Sequence, residues 1–250
     1  MKVLFLGTGT STGVPQIGCN CKVCKSSNPN DKRLRASVFI DNDENQILID
    51  CGPDLRQQLL LHNVNKISAI LLTHEHYDHV GGLDDVRPLG VAQVYAEKKV
   101  LGIIRRNMPY CFGDNLYPGV PAIHLNEITE DGFQIGNTLV QPIRIMHHKL
   151  PILGFRIGNV AYLTDVKTIN DKAFEQLQNL DVLILNALRT NSHISHLSLS
   201  EALEIAEKIG ARQTYFTHMS HDMGLHTEVN QQLPENAQLA YDGLCIDVKG

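Results

Sequence analysis

The sequence lacks the features that would mark several classes of protein. It has no run of Lys or Arg longer than two residues, and 22 basic residues stand against 27 acidic ones, for a net charge of -5. A duplex or tRNA binder carries a basic stripe, so this balance weighs against a nucleic-acid partner. No stretch approaches the roughly 18 consecutive apolar residues that a membrane span needs. The apolar start, Met1 to Gly7, is too short for a signal segment and runs directly into a glycine-rich loop. These absences lead us to expect a soluble, cytoplasmic protein with no membrane partner. The chain also has no internal repeat, low-complexity tract or linker. Its 250 residues, 43% of them hydrophobic, suffice for one core, so residues 1–250 are read as a single domain. Tryptophan is absent and aromatic content is 6%.

Against that background histidine and cysteine stand out. Histidine occurs 12 times, several in tight groups; a solvated surface gives no reason for such grouping, whereas a metal centre does. The six cysteines are not read as three disulfides, because the chain is large, lacks a secretion signal and crowds Cys19, Cys21 and Cys24 together. Such a cluster in a cytosolic protein points to metal. Cys51, Cys111 and Cys245 are expected to be small buried hydrophobes.

Strand and helix signals interleave. Residues 2–7 read as a buried strand, 7–18 as a glycine-rich loop, and 36–41 with 46–50 as a hairpin across Asn42-Asp43-Glu44-Asn45. A helix is expected over Asp54–His62 with Leu55, Leu59 and Leu60 on one side, then a strand over Ile67–Leu72. Later strands are expected at Val91–Tyr95 and near 122–125, 133–135, 138–146, 154–157, 159–164, 182–186, 214–217 and 238–240. Helices are expected over 97–107, 169–178, 199–209 and 226–232. The pattern predicts an α/β layered fold, two packed sheets with helices outside.

The run His74-Glu75-His76-Tyr77-Asp78-His79 directly follows an apolar strand. In extended backbone, residues i and i+2 share a face, so His74 and His76 can reach one ion. Asp78 and His79, where the chain turns toward a helix, can face a second. Further ligands should lie at other strand ends, where His147 or His148, Asp165 and His218 each follow an apolar run. Cys19-Asn20-Cys21-Lys22-Val23-Cys24 offers three corners of a tetrahedral zinc and leaves one ligand to find.

These residues resemble the metallo-β-lactamase superfamily through its His-x-His-x-Asp-His motif, with Leu48-Ile49-Asp50-Cys51-Gly52, the aspartate after Tyr162-Leu163-Thr164, and Thr217-His218 as further matches. The resemblance implies an αββα sandwich of two mixed sheets flanked by helices. It implies two catalytic divalent metals, zinc or manganese: one held by His74, His76, His147 and Asp165, the other by Asp78, His79, Asp165 and His218. His148 competes with His147; the run His-x-Lys-Leu ahead of Gly154-Phe155 favours His147. The cysteine run resembles that of the cyclic phosphodiesterases of phosphonate utilisation. There the fourth ligand falls three residues past the last catalytic histidine, so the resemblance implies a structural zinc at Cys19, Cys21, Cys24 and His221, with the zinc-binding loop at 18–25.

In the same branch, which extends to tRNA 3′-processing endonucleases, a histidine 22 residues ahead of the last ligand protonates the leaving alkoxide. Here that position is His196, with His193 as competitor and His226 read as structural. The resemblance thus implies hydrolysis of a small phosphodiester, cyclic ones included, by a metal-bridged hydroxide that Asp165 helps to orient. The loop Gly7–Gly18 is expected to approach the phosphate with backbone N–H groups. The alternatives are a tRNA 3′-endonuclease-like nuclease, disfavoured by the 17 residues between His147 and Asp165 and by the acidic charge, and a non-hydrolytic accessory protein of cofactor biosynthesis. A homodimer is left open.

Overall fold

The computed structural model describes residues 1–42, 44–113, 116 and 118–248. Asp43, in the expected hairpin turn, lies outside the described residues, as do the last two positions of the 1–250 span. Among the described residues the strands form two mixed sheets. The first contains β1 (Lys2–Gly7), β2 (Ser37–Asp41), β3 (Gln46–Ile49), β4 (Ala69–Leu71), β5 (Val91–Ala96) and β6 (Ala122–Glu127). The second contains β7 (Phe133–Ile135), β8 (Thr138–His147), β9 (Leu150–Ile157), β10 (Val160–Leu163), β11 (Thr168–Ile169), β12 (Val182–Asn186), β13 (Gln213–Thr217) and β14 (Ala237–Leu239). The last strand, β15 (Cys245–Asp247), returns to pair with β1. The helices are α1 (Leu55–Leu61), α2 (Tyr77–Val80), α3 (Lys98–Asn107), α4 (Asp171–Gln176), α5 (Leu199–Ile209) and α6 (His226–Asn230).

Each sheet is antiparallel on one side and parallel on the other. In the first, β15, β1, β2 and β3 pair antiparallel, and β3 to β6 run parallel. In the second, β11, β8, β9 and β10 pair antiparallel, and β10, β12, β13 and β14 run parallel. Parallel strands of this kind are covered on both faces, and the two-residue period sorts their side chains accordingly. Val38, Ile40, Ile47 and Ile49 enter one core with Phe155, Tyr162 and Ile184 of the second sheet. Phe39 and Leu48 enter another with Leu55, Val100 and Ile104 of the helices. Ala161, Leu163, Leu183 and Leu185 pack against Ala173, Ala202 and Ala206 of α4 and α5. Three cores separate four layers, the αββα sandwich expected from the sequence.

Helix α5 shows how local signals fix the frame. Ser198 and Glu201 form a reciprocal capping box and Gly210 closes the helix in the left-handed conformation. Two short strands went unread, because β11 and β15 are two and three residues long and pair at sheet edges. Strand β9 begins at Leu150, ahead of the expected 154, and includes Pro151; β10 pairs back only as far as Phe155, so the missing proline N–H faces no strand there. Cys51 and Cys111 are buried as expected, but Cys245 is exposed on the edge strand β15. Leu60 is also exposed, unlike Leu55 and Leu59.

A buried polar network closes the chain ends around the first loop. Arg33 donates through Nη1 to the Thr8 hydroxyl (2.9 Å) and the Ala240 carbonyl (2.8 Å), and its Nη2 lies 3.3 Å from Nδ1 of His226. Guanidinium can only donate, so His226 presents a lone pair, and burial together with Arg33 lowers its pKa to about 4. Among the described residues it joins none of the candidate metal-binding groups, and it lies where a structural role was expected. Asp242 accepts from Thr8 Oγ1 at 2.7 Å and from the Leu34 amide at 2.6 Å, yet burial pushes its carboxyl up to about 6. A folded-state value above the ordinary one gives stability that is complete below about pH 4 and is lost as pH rises through 6. Asp242→Asn cannot ionise. The difference in thermal midpoint, variant minus wild type, is expected to rise between pH 4 and 7 on top of any constant offset; a pH-independent difference would contradict the shift.

Candidate metal centre

The candidate ligands gather where strands of both sheets end, the usual site for ligands in parallel sheets. Asp50 follows β3, Thr73 and His74 follow β4, His147 ends β8, Asp165 follows β10 and His218 follows β13. Asp50, Asp165 and His218 adopt positive φ of 61°, 56° and 56°, a conformation few non-glycine residues take and one that concentrates at functional sites. Gly52 lets the segment after β3 meet α2, since a Cβ there would lie 2.1 Å from the Asp78 carbonyl.

Asp50 and Thr73 set which nitrogens of two rings are free. The Thr73 hydroxyl is 2.9–3.0 Å from both Asp50 oxygens, and the Thr73 amide donates to Oδ1 at 2.9 Å. With its one proton given to the carboxylate, Thr73 Oγ1 accepts from His74 Nδ1 at 2.9 Å, leaving a lone pair on His74 Nε2. His79 Nδ1 donates to Asp50 Oδ2 at 2.7 Å, turning Nε2 toward Asp78 and Asp165. His147 Nδ1 faces the carbonyls of Asp165 (3.0 Å) and Ser195 (2.9 Å); both only accept, so Nε2 is again the free atom.

The freed atoms converge. His74 Nε2 and His76 Nδ1 are 3.0 Å apart. His79 Nε2 lies 3.1 Å from Asp78 Oδ2 and 3.2 Å from Asp165 Oδ2, and His218 Nε2 lies 3.5 and 3.3 Å from the same two oxygens. An ion with bonds of about 2.0–2.1 Å in tetrahedral geometry separates its ligand atoms by roughly 3.3 Å. Despite these short separations, His79 Nε2 and both nitrogens of His218 are buried without a hydrogen-bond partner, and the two Nε2 atoms face the space shared with Asp78 and Asp165. Donor atoms of His74, His79 and Asp165 form one compact group, those of Asp78, His79 and His218 a second, and those of His147, Asp165 and His196 a third. The donor set fits divalent cations.

Charge tells the same story. Burial opposes a charge on His79, but Asp50, Asp165 and Asp78 together hold its pKa well above the imidazole range. Burial likewise disfavours ionised Asp165, while His218 and His79 hold it well below the carboxylate range. Burial drives His74 well down, with His79 adding to the effect. The pocket is thus strongly negative around a proton that a metal ion can replace.

The structure brings His147, not His148, into the group. His147 lies 5.8 and 5.3 Å from the rings of His74 and His76, whereas His148 is exposed in the hairpin turn at φ 55°. His196 joins them, its ring 4.7 Å from His147 and stacked 5.0 Å from His218, with Nδ1 3.6 Å from Asp165 Oδ1. His193 stands one step further out, 5.2 Å from His196.

The second cluster also assembles. Cys19, Cys21, Cys24 and His221 present donor atoms within 4.8 Å of one another. His221 Nδ1 is 3.6 Å from Cys19 Sγ and 3.4 Å from Cys21 Sγ, near the roughly 3.6 Å expected between nitrogen and sulfur around tetrahedral zinc. The Cys24 amide, 3.4 Å from Cys21 Sγ, is the main cause lowering the Cys21 thiol to about 6; burial pushes Cys24 to about 11.

Two features escaped the sequence reading. Asp50 was quoted as part of a match but given no role; its position at a strand end, like that of Asp165, was the available signal. Four amides of the glycine-rich loop, expected to approach a phosphate, are spent within the fold: Gly9, Thr10, Gly13 and Val14 donate to Leu34, Met219, Thr10 and Arg33. The loop braces the residue after His218 instead, because Met219 N also donates to Thr8 O at 2.9 Å. Asp50→Ala leaves the Thr73 amide, the Thr73 hydroxyl and His79 Nδ1 buried without an acceptor, each costing about 1–3 kcal/mol. Urea unfolding is expected to show a loss of at least about 3 kcal/mol, with Asp50→Asn losing less; equal, small losses would mean Asp50 is not holding these groups.

Residues 45–219 match the family model described as the beta-lactamase superfamily domain. A solved structure described as a new diphosphatase from the PhnP family is 40% identical, with a TM-score of 0.93 over 99% of this chain and 98% of that one. An octanoyltransferase of Porphyromonas gingivalis is 45% identical over 258 residues, covering 100% of this chain; the chain spans 52% of that relative's length. Zinc-bound PqqB from Methylobacterium extorquens shares the fold, with 19% identity and a TM-score of 0.79 over 99% of this chain and 100% of that one. Among the described residues no helix is long and apolar enough to cross a membrane.

Proposed function

Because the chain belongs to the beta-lactamase superfamily, we propose that it is a dinuclear metal-dependent phosphodiesterase acting on a small phosphodiester. In this reading His74, His76, His147 and Asp165 hold one zinc or manganese ion, and Asp78, His79, Asp165 and His218 hold the other. Cys19, Cys21, Cys24 and His221 hold a structural zinc. A divalent pair supplies Lewis-acid polarisation of a phosphoryl oxygen and a water of lowered pKa.

The observation that carries the reading is His196. It sits on a loop pinned at both ends: Leu197 N donates to Val166 O at 3.0 Å, Leu188 N to Leu197 O at 2.9 Å, and Arg189 to the carbonyls of Asn191 and Ser192. Its imidazole is held beside Asp165 and His218, where a departing oxygen would lie. Burial, with His218 next, lowers it to about 3 in the protein alone. An anionic phosphodiester placed against it supplies the opposite charge that raises an imidazole pKa, so His196 takes a proton with the substrate and gives it to the leaving alkoxide. Asp165 orients the attacking water and His147 fixes the position of the shared edge of the site.

A second reading, hydrolysis of a diphosphate, is favoured by the 40% identical diphosphatase. Phosphate leaves well without a proton and an alkoxide does not, so one experiment divides them. His196→Ala is expected to slow an alkyl-leaving phosphodiester by about 10²–10⁴-fold and bis(p-nitrophenyl) phosphate much less, with metal content retained. Equal slowing of both would mean His196 is not the acid. Faster turnover of diphosphates than of any phosphodiester, insensitive to the variant, would favour the second reading.

For the cysteine cluster, elemental analysis of Cys21→Ala is expected to show one zinc fewer per chain together with a lower thermal midpoint. Unchanged zinc content would remove the structural site.

A further inference from the structure

Two large apolar side chains are exposed on the segments that carry candidate residues of the centre. Tyr77 and Ile194 are each 70% exposed. Tyr77 lies between His76 and Asp78, and Ile194 lies two residues before His196. The segments that carry them, the start of α2 and the loop before α5, meet at one imidazole, since the rings of His76 and His196 are 5.3 and 4.7 Å from that of His147.

Tyr77 is not a freely waving side chain. Its ring folds back over the turn that ends α2, and a Cβ on Gly81 would lie 2.7 Å from Cε2, 2.8 Å from Cζ and 2.7 Å from the Tyr77 carbonyl oxygen. Gly81 has φ -66° and ψ -14°, a conformation open to any residue, so the close approach of Tyr77 and not the backbone dihedrals calls for glycine. The sequence thus leaves room to seat an exposed ring between two candidate ligands.

We propose that Tyr77 is a specificity-determining platform for a planar aromatic substituent of the substrate, with Ile194 as the opposing apolar contact. The inference rests on the phosphodiesterase reading for its substrate class. The reacting phosphoryl group sits in the charged centre, and the substituent that stays on phosphorus lies against the Tyr77 face. Stacking of this kind contributes modestly per ring, enough to select among diesters without setting the rate of the chemical step.

The test uses metal-loaded protein and two substrates with the same leaving group, bis(p-nitrophenyl) phosphate and methyl p-nitrophenyl phosphate. Only the retained substituent differs, so any demand on His196 is shared. Wild type is expected to prefer the aryl diester in kcat/KM. Tyr77→Ala is expected to reduce that preference by roughly three- to tenfold, through KM, while Tyr77→Phe keeps it. A preference that Tyr77→Ala leaves undiminished, or that wild type never shows, overturns the platform. If wild type hydrolyses neither diester, the phosphodiesterase reading fails separately. The platform is then read by calorimetry, as the affinity for phenylphosphonate over methylphosphonate; wild type should favour phenyl and Tyr77→Ala should lose that bias, and an equal ratio in both proteins overturns it.

Discussion

The Asp50 carboxylate, fully buried at the end of β3, governs the first-sheet half of the site. It receives His79 directly and His74 through Thr73, so one acid fixes the free nitrogen of two rings. Partners of this kind orient metal-binding imidazoles and raise their basicity. A buried charge is costly unless hydrogen-bonded on all sides. Here the carboxylate takes three donors from Thr73 and His79, and its own backbone carbonyl accepts from Ser37 Oγ at 2.8 Å, which ties the left-handed turn to β2. Burial nevertheless pushes the Asp50 carboxyl up, with His79 opposing the effect. Carboxylate and imidazolium therefore depend on each other, and the site cannot lose either group cheaply.

The second-sheet half must meet this arrangement in register. Asp165 and His218 follow β10 and β13, and β12 runs parallel between them. Their side chains face His79 only because alternating residues of those strands interlock with the first sheet: Tyr162 and Ile184 share a core with Ile47 and Ile49, and Phe5 lies 5.5 Å from Tyr215 across the sandwich. A slip of one residue would exchange the faces of a strand and remove its ligand. The glycine-rich loop adds a clamp, with Thr8 and Thr10 pairing to both sides of Met219, and the cysteine cluster holds His221 just beyond.

Much of this was legible because the chemistry is concentrated. His74, His76, Asp78 and His79 fall in one short run, and the remaining candidate ligands each follow an apolar strand, so period and position brought them to notice and the family resemblance assigned them to two ions. The four layers followed from the alternation of strand and helix signals. What escaped depends on tertiary contact. Asp50 looks like any aspartate after a strand until Thr73 and His79 close on it. Cys245 reads as apolar but lies on an edge strand that exists because β1 offers a free side. The Gly9 and Thr10 amides are taken by Leu34 and Met219, which are remote in sequence. His147 and His148 could not be separated by type; the β8–β9 register, pairing His147 with Leu150, puts the next residue into the turn and out of the site. His221 came from resemblance alone, and it stands 197 positions beyond Cys24.

The burial that strengthens the electrostatic contacts of the site also works against a charged His196. Burial and three neighbouring histidines depress it, and Asp165 opposes them without prevailing. In the proposed reaction this tension has a use. An imidazole that stays neutral until a negative group arrives is not protonated beside a cation pair, where the charge would repel the metals. It gains its proton only when an anionic diester lowers the local potential. A neutral lactam or thioester would not supply that charge, so the acid would go unloaded. In the proposed reaction the depressed His196 couples protonation to the sign of the substrate, through the same burial that strengthens the charged contacts of the candidate site.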